Sequence, residues 1–449
     1  MPSRHEAHLR HAKYYETLLR EANRAYLKGG RAAKLGLDLA DSNWTNILIA
    51  WSWAEANMWD DDVATKLCSD YADVSRYFLQ LRRTPLEQLR WRQLALNAAR
   101  RLKDPVAEGA HLNNIGLVYA GLGDFDSAIA VYEERLALAH PDGDREGEAR
   151  VLCNLGNANK NLGRLGRAIE LYEQALAIER EIGFRRGEAE TLVNLGAAHH
   201  LLGDTYLAAE VLERALSITR NIGDRRIEGV ALGLLGSIKY ILREPARAIE
   251  YFAERLAIAR ELGDSRWESL CLIHLADAFS SQGESDRAIQ TCEEALAILR
   301  GIGNRHKEGD ALGNLGLIYK NMGDPGRAIV YYEQSLVILR EFGDRLREGH
   351  VLGYLGNAYY ALGEPRQAAD FHELALEVNR TVGDRRGQAK ALMNLGLALY
   401  KVGDREQAHT HAEAALVVYE QIRSPEAAKV RETLNSWRED RNSKASPAT

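Results

Sequence analysis

The chain is poor in cysteine: in 449 residues there are only Cys68, Cys153, Cys271 and Cys292, scattered without a paired framework. That excludes a disulfide scaffold and fits a reducing compartment, with the four thiols buried in helices. No stretch approaches the ~20 apolar residues of a membrane span, and Met1-Pro2-Ser3-Arg4-His5 lacks the apolar core of a signal peptide. The expectation is a cytoplasmic protein with no membrane partner. Positive charge is not in excess either. Fifty-eight basic residues against 64 acidic ones leave a formal charge of -6, with no basic block to neutralise a track of phosphates, so nucleic acid is not expected as the main partner. β-Branched runs are scarce and Ala, Leu, Glu and Arg dominate, which points to an all-α chain.

Chemistry-bearing groupings are missing as well. There is no phosphate loop of the Walker A kind, no carboxylate pair and no Ser-His-Asp set. His199-His200, Cys271 with His274, and His409 with His411 do not bring together the three or four ligands of a zinc site. The expectation is therefore a non-enzymatic protein without metal or cofactor.

What the chain does have is a repeat. The phrase Leu312-Gly313-Asn314-Leu315-Gly316-Leu317-Ile318-Tyr319 recurs at a strict step of 40 residues, its central glycine returning as Gly116, Gly156, Gly196, Gly236, Gly316, Gly356 and Gly396, with Ala276 in the one gap. A period of this size means a solenoid of stacked units. Each unit reads as two helices. In the first, helix A spans about Val106 to Leu122 and helix B about Phe125 to His140, with Gly123 for a left-handed turn and Asp124 as cap. Glu244-Pro245, Asp324-Pro325 and Glu364-Pro365 put proline at the first position of helix B, where its missing donor costs little. A glycine inside a helix costs about 1 kcal/mol against alanine, so the central glycines need a reason. The expected one is close approach of helix B, through the small residue that recurs as Ala128, Ala168, Ala208, Ala248, Ala288, Ala328, Ala368 and Ala408.

The boundaries follow. Residues 1–105 form a helical N-terminal cap with helices at about His5 to Tyr26, Ala32 to Ala56, Val63 to Leu81 and Pro85 to Leu102, the last two a degenerate repeat with Ser75 and Gln88 at its packed positions. Residues 106–423 hold eight 40-residue units, 424–439 a C-terminal capping helix and 440–449 a disordered tail.

The order Leu312, Leu315-Gly316, Tyr319, Ala328, Tyr332 resembles the tetratricopeptide repeat signature. Leucine stands where that signature has tryptophan, the terminal proline is absent, and the period of 40 is similar to the longer repeats of kinesin light chains and Pins-type adaptors. The first 105 residues, through His11-Ala12-Lys13-Tyr14-Tyr15 and Asn43-Trp44-Thr45-Asn46-Ile47, look like the helices preceding such repeats in bacterial STAND-type signalling ATPases. The resemblance implies a right-handed superhelical solenoid, with helix A lining the concave surface, that holds a protein or peptide partner. It also implies an alternative, the sensor or regulatory module of a STAND-like switch whose ATPase lies on another chain.

On that geometry Asn114, Asn154, Asn194, Asn314 and Asn394, two places before the central glycines, point into the groove, with Tyr354 at the same place in another unit. An amide offers both donor and acceptor to the main chain of an extended peptide. Asn157 and Asn357 extend the ladder one turn on. Arg150, Lys160, Lys320, Lys390 and Lys401 would meet acidic side chains, and Tyr240, Tyr354, Tyr360 and Tyr400 would add ring area. The competing role for the asparagines is as pegs between helices. Arg145, Arg185, Arg225, Arg305, Arg345 and Arg385 lie just before Glu148, Glu188, Glu228, Glu308 and Glu348 at a spacing that favours local ion pairs. Self-association through exposed array ends stays possible.

Overall fold

The computed structural model describes residues 3–28, 30–138 and 143–445, and among them every regular element is a helix. Six form the N-terminal part: α1 (Arg4–Leu27), α2 (Gly30–Ser42), α3 (Trp44–Asn57), α4 (Asp62–Val74), α5 (Arg76–Arg82) and α6 (Pro85–Arg101). Eight A/B pairs follow: α7 (Pro105–Gly121) with α8 (Phe125–Ala137), α9 (Arg145–Asn161) with α10 (Leu165–Glu181), α11 (Arg185–Leu202) with α12 (Thr205–Ile222), α13 (Arg225–Ile241) with α14 (Pro245–Glu261), α15 (Ser265–Ser281) with α16 (Ser285–Gly301), α17 (Arg305–Asn321) with α18 (Pro325–Glu341), α19 (Arg345–Ala361) with α20 (Pro365–Thr381), and α21 (Arg385–Val402) with α22 (Arg405–Gln421). Helix α23 (Glu426–Ala445) ends the chain. The chain forms two compact units, Met1–Ala231 and Leu232–Thr449, divided inside α13.

A left-handed residue punctuates the helices every 20 positions from 103 to 423. Fourteen of these are glycines, and the other three are Lys103 (φ 53°), Arg243 (φ 61°) and Arg423 (φ 53°). The next residue caps the following helix in many copies, as when the Asp144 carboxylate accepts from the Gly147 amide at 2.9 Å and Asp384 from Gly387 at 2.9 Å. Proline opens α14, α18 and α20 as expected.

The central glycines do face helix B, but the group they admit is a ring rather than the recurring alanine. A Cβ at Gly116, Gly156, Gly236 or Gly316 would lie 2.3 to 2.5 Å from the ring of Tyr132, Tyr172, Phe252 or Tyr332, sixteen residues on. In other copies it would meet Leu212, His372 or the backbone of α22 at Ala408. The physical reason is volume. A buried phenol laid flat on a helix needs the missing side chain, whereas the alanines, all fully buried, line the seam beside it. The exception supports this account, because Ala276 occurs in the copy whose ring position is filled by the smaller Cys292.

Four expectations need correction. The stretch Ala32 to Ala56 is two helices, broken at Asn43, whose side-chain amide donates to the Leu39 carbonyl at 2.9 Å. The stretch Val63 to Leu81 is likewise two helices, broken at Ser75, whose hydroxyl donates to the Tyr71 carbonyl at 2.5 Å. Both side chains compete for helical carbonyls and bend the chain there. Helix α8 stops at Ala137, with His140 outside the described residues. Helix α23 continues to Ala445, past the 439 boundary, so residues 440–445 of the expected tail are helical and only 446–449 lie outside the described residues.

In the first unit the cap buries Trp51 and Trp91, stacked at 4.0 Å, around Tyr71, whose hydroxyl donates to the Ala12 carbonyl at 2.6 Å. Trp59 is the exposed exception. In the second unit α23 lays Ala427, Val430, Leu434 and Trp437 against the last repeat and turns Lys429, Arg431, Glu432 and Glu439 to solvent. All four cysteines are free and buried, and burial pushes their thiols up, Cys68 and Cys292 to about 12. No helix among the described residues is long and apolar enough to cross a membrane.

Candidate functional site

Within each unit successive A helices touch one another: α7 with α9 and α9 with α11 in the first, α15 with α17, α17 with α19 and α19 with α21 in the second. No comparable contact joins successive B helices among the described residues, so each stack curves with its A helices inside. Cavities open along this inner face. One of about 490 Å³ lies against α5, α6 and α7, and one of about 370 Å³ between α15, α17 and α19. A smaller one of about 130 Å³ sits between α19, α20 and α21.

The groove asparagines divide into two kinds. Some are tied to neighbouring helices: the Asn154 amide donates to Asn113 Oδ1 at 2.9 Å, Asn394 to Asn357 Oδ1 at 3.0 Å, Asn194 to the Cys153 thiol at 3.5 Å, and Asn157 Oδ1 accepts from the Tyr172 hydroxyl at 2.8 Å. Asn314, half-buried in the 370 Å³ cavity, has no hydrogen-bond partner among the described residues, and Asn114 is buried beside Asn113. Pegging between helices therefore accounts for part of the ladder, and each bonded amide keeps one further hydrogen or lone pair.

The other sequence-derived residues are spread along the same helices. Arg150 lines the 490 Å³ cavity and pairs with Glu146, and Lys160 is part-buried, with burial lowering its ammonium pKa. Lys320 and Tyr360 are exposed, and Tyr354 stands over Tyr332 at 5.6 Å with two-fifths of its surface open. The Tyr400 ring is stacked on Trp437 of α23 at 4.3 Å and 6°.

The expected ion pairs are present as clamps. Glu308, buried, takes Arg300 Nε at 2.8 Å and Arg305 Nη1 at 3.0 Å, and Glu188, Glu228 and Glu348 repeat the arrangement. Burial raises the Glu308 carboxyl, but the two arginine hydrogen bonds outweigh it and its pKa is lowered. This arginine row is therefore committed to structure.

Four residues at the inner face escaped the sequence reading. Arg92 is only 4% exposed, yet its Nε and Nη1 have no partner among the described residues, and it shares the 490 Å³ cavity with Arg76, Arg150 and Asn113. Burial, then the charge of Arg76, pushes its pKa down to about 10. Asp277 lines the 370 Å³ cavity, and burial alone raises its carboxyl to about 7. His372 and Asn379 form the floor of the smallest cavity. For Arg92 the divergence of the first repeat hides the register. For Asn379 a signal existed, since it follows Leu299 and Leu339 at a register where Glu179 and Thr219 had already made earlier copies polar.

The repeat family model described as "Tetratricopeptide repeat" matches residues 107–181, 147–221, 187–261, 227–301, 266–341, 307–381 and 350–421. No curated protein sequence matches the chain. Among solved structures, the apo form of the quorum sensor NprR from B. thuringiensis is similar with a TM-score of 0.55 at 13% identity, covering 82% of this chain and 99% of that one. The STAND protein with a tetratricopeptide repeat sensor, PH0952 from Pyrococcus horikoshii, gives 0.55 at 16% identity over 87% of this chain, which spans 55% of that protein. The apo form of RapI gives 0.51 at 13% identity over 62% of this chain and 99% of that one. At these identities the likeness shows the fold. With the repeat model matched from residue 107 to 421 and eight helix pairs in order over the same span, the chain belongs to the tetratricopeptide repeat family.

Proposed function

We propose that the protein is a non-enzymatic scaffold whose A-helix faces bind an extended peptide or partner segment. The observation that carries this reading is that the cavities open along the A helices, where the amides of Asn114, Asn314, Asn357 and Asn394 line them together with Tyr77 or Tyr354. Such a surface suits main chain, which needs alternating donors and acceptors and little side-chain specificity. The segment bound in the first unit is acidic. Nε and Nη1 of Arg92 have no hydrogen-bond partner among the described residues, and a buried guanidinium with unmet donors is costly until an acceptor joins it.

The test is selection from a random peptide display library, followed by fluorescence anisotropy on wild type and the Asn154→Ala/Asn314→Ala variant. Loss of two bonds worth about 1 kcal/mol each predicts roughly tenfold or more weaker binding. Unchanged affinity would remove the amides from the mechanism. The second reading, a sensor module for an ATPase on another chain, matches what the Pyrococcus protein is called. Co-purification with a Walker-motif ATPase from the native host separates the two.

A further inference from the structure

The seventh repeat carries an imidazole where the second and sixth carry a phenol. In the second repeat Tyr172 packs on Gly156 and its hydroxyl reaches up to Asn157 Oδ1 at 2.8 Å, closing the floor of the inner face. Forty-residue steps bring Tyr332 and then His372 to the same place, with His372 on Gly356. An imidazole is shorter than a phenol, and the space that a phenolic end would fill is part of the 130 Å³ cavity between α19, α20 and α21.

The walls of that cavity are unusual among the repeats. Gly353 leaves it open, since a Cβ there would meet nothing within 4 Å. Asn357 and Asn394 stand at its rim, bonded to each other at 3.0 Å, with Tyr354 beside them. At the bottom lie His372 (1% exposed) and Asn379 (2% exposed), whose Nδ1 and Oδ1 have no partner among the described residues. A buried amide oxygen without a donor costs about 1–3 kcal/mol, so the cavity favours any occupant that brings one. Asn379 is pinned from below, because Gly349 and Gly387 approach it too closely to carry side chains. The imidazole is neutral at pH 7, burial holding its pKa down to about 4, so the floor has no charge to match an ionised occupant. The volume, close to that of cavities known to hold one small molecule, has room for a short side chain.

We propose that this cavity is an anchor pocket that takes a short, uncharged, hydrogen-bond-donating side chain (serine, threonine or asparagine) from a peptide lying along α19 and α21. The side chain's donor pairs with Asn379 Oδ1 while its oxygen accepts from the His372 imidazole, in the place where the Tyr172 hydroxyl sits in the second repeat. This rests on the peptide-binding reading above and adds a residue preference to it.

The experiment uses the full chain and synthetic extended heptapeptide libraries with one central position fixed as Ser, Thr, Asn, Ala, Val, Asp or Lys, read by fluorescence anisotropy. Two variants close the pocket without cutting into the fold. His372→Tyr restores the residue of repeats one, two and six, and Gly353→Val fills open space, each checked by a thermal melt. Wild type is expected to bind the Ser, Thr and Asn libraries about fivefold or more tightly than Ala or Val, one hydrogen bond's worth. Both variants should lose that preference while still binding peptide. A wild type without the preference, one that favours Asp, Lys or Val, or a preference that survives in Gly353→Val would overturn the pocket and leave a water-filled cavity. Should none of the libraries bind wild type or variants, the peptide-binding reading itself falls, an outcome distinct from loss of selectivity.

Discussion

Alanine at Gly316 is the sharpest probe of what holds each repeat together. In a bare helix Gly→Ala stabilises by about 1 kcal/mol. Here the new methyl would stand 2.5 Å from Cδ1 and Cε1 of Tyr332, a ring that is itself fully buried. Pushing the ring aside in a packed seam costs about 1–3 kcal/mol, which cancels or reverses the gain. Removing the ring should restore it. In a Tyr332→Cys background, which reproduces the natural pair Ala276 and Cys292, Gly316→Ala should stabilise by the full ~1 kcal/mol, giving a coupling of about 1–3 kcal/mol between the two sites. Tyr332→Cys alone should cost about 3–5 kcal/mol, as large buried side chains do. Repeat arrays can unfold in parts, so the readout is native-state hydrogen exchange of the α17 and α18 amides, which reports local opening. Equal effects of Gly316→Ala in both backgrounds would refute the claim that the glycines exist to seat rings.

Arg243→Gly should raise the melting temperature, because a side chain at φ 61° carries about 1 kcal/mol of strain that glycine lacks. Glu308→Gln should lower stability at pH 7 and flatten its loss in acid. The Glu308 pKa is depressed on folding, so its contribution is present above the ordinary carboxylate range and fades as pH falls through its lowered folded pKa, which thermal melts at several pH values follow. Asp277→Asn should act oppositely. Its carboxyl pKa is raised by burial from 3.8 to about 7, so the stability it costs accrues as pH rises from about 4 to 7 and is fully present above 7. The variant's gain in melting temperature should therefore be larger at pH 8 than at pH 5.

Much of the architecture was readable because the period is strict. Leucine, glycine and alanine at fixed steps give helix pairs, turns every 20 residues and the capping aspartates. Local competition was harder to read. Ser75 and Asn43 break helices through side-chain bonds to carbonyls four residues back, and nothing in hydrophobic spacing announces that choice. The ring beneath each glycine was legible in principle, as an aromatic sixteen residues on in most copies, but the alanine row at twelve is more regular and drew the assignment.

The asparagine ladder shows why a periodic polar residue does not declare its own role. Asn154 and Asn394 both repeat at the same register and both tie one A helix to the next, and Asn394 also lines the 130 Å³ cavity. A ligand amide and a structural peg need the same chemistry there, since gripping a foreign main chain and holding a neighbouring helix each take a donor and an acceptor on a half-buried surface. What separates them is the exception rather than the rule. Asn314 keeps the register without a partner, while His372 and Asn379, both buried, each bring a polar atom without a partner among the described residues to the floor of the 130 Å³ cavity. In an array built from one repeated solution, a costly local departure has to be offset somewhere, and on the peptide-binding reading proposed above the bound segment supplies that offset.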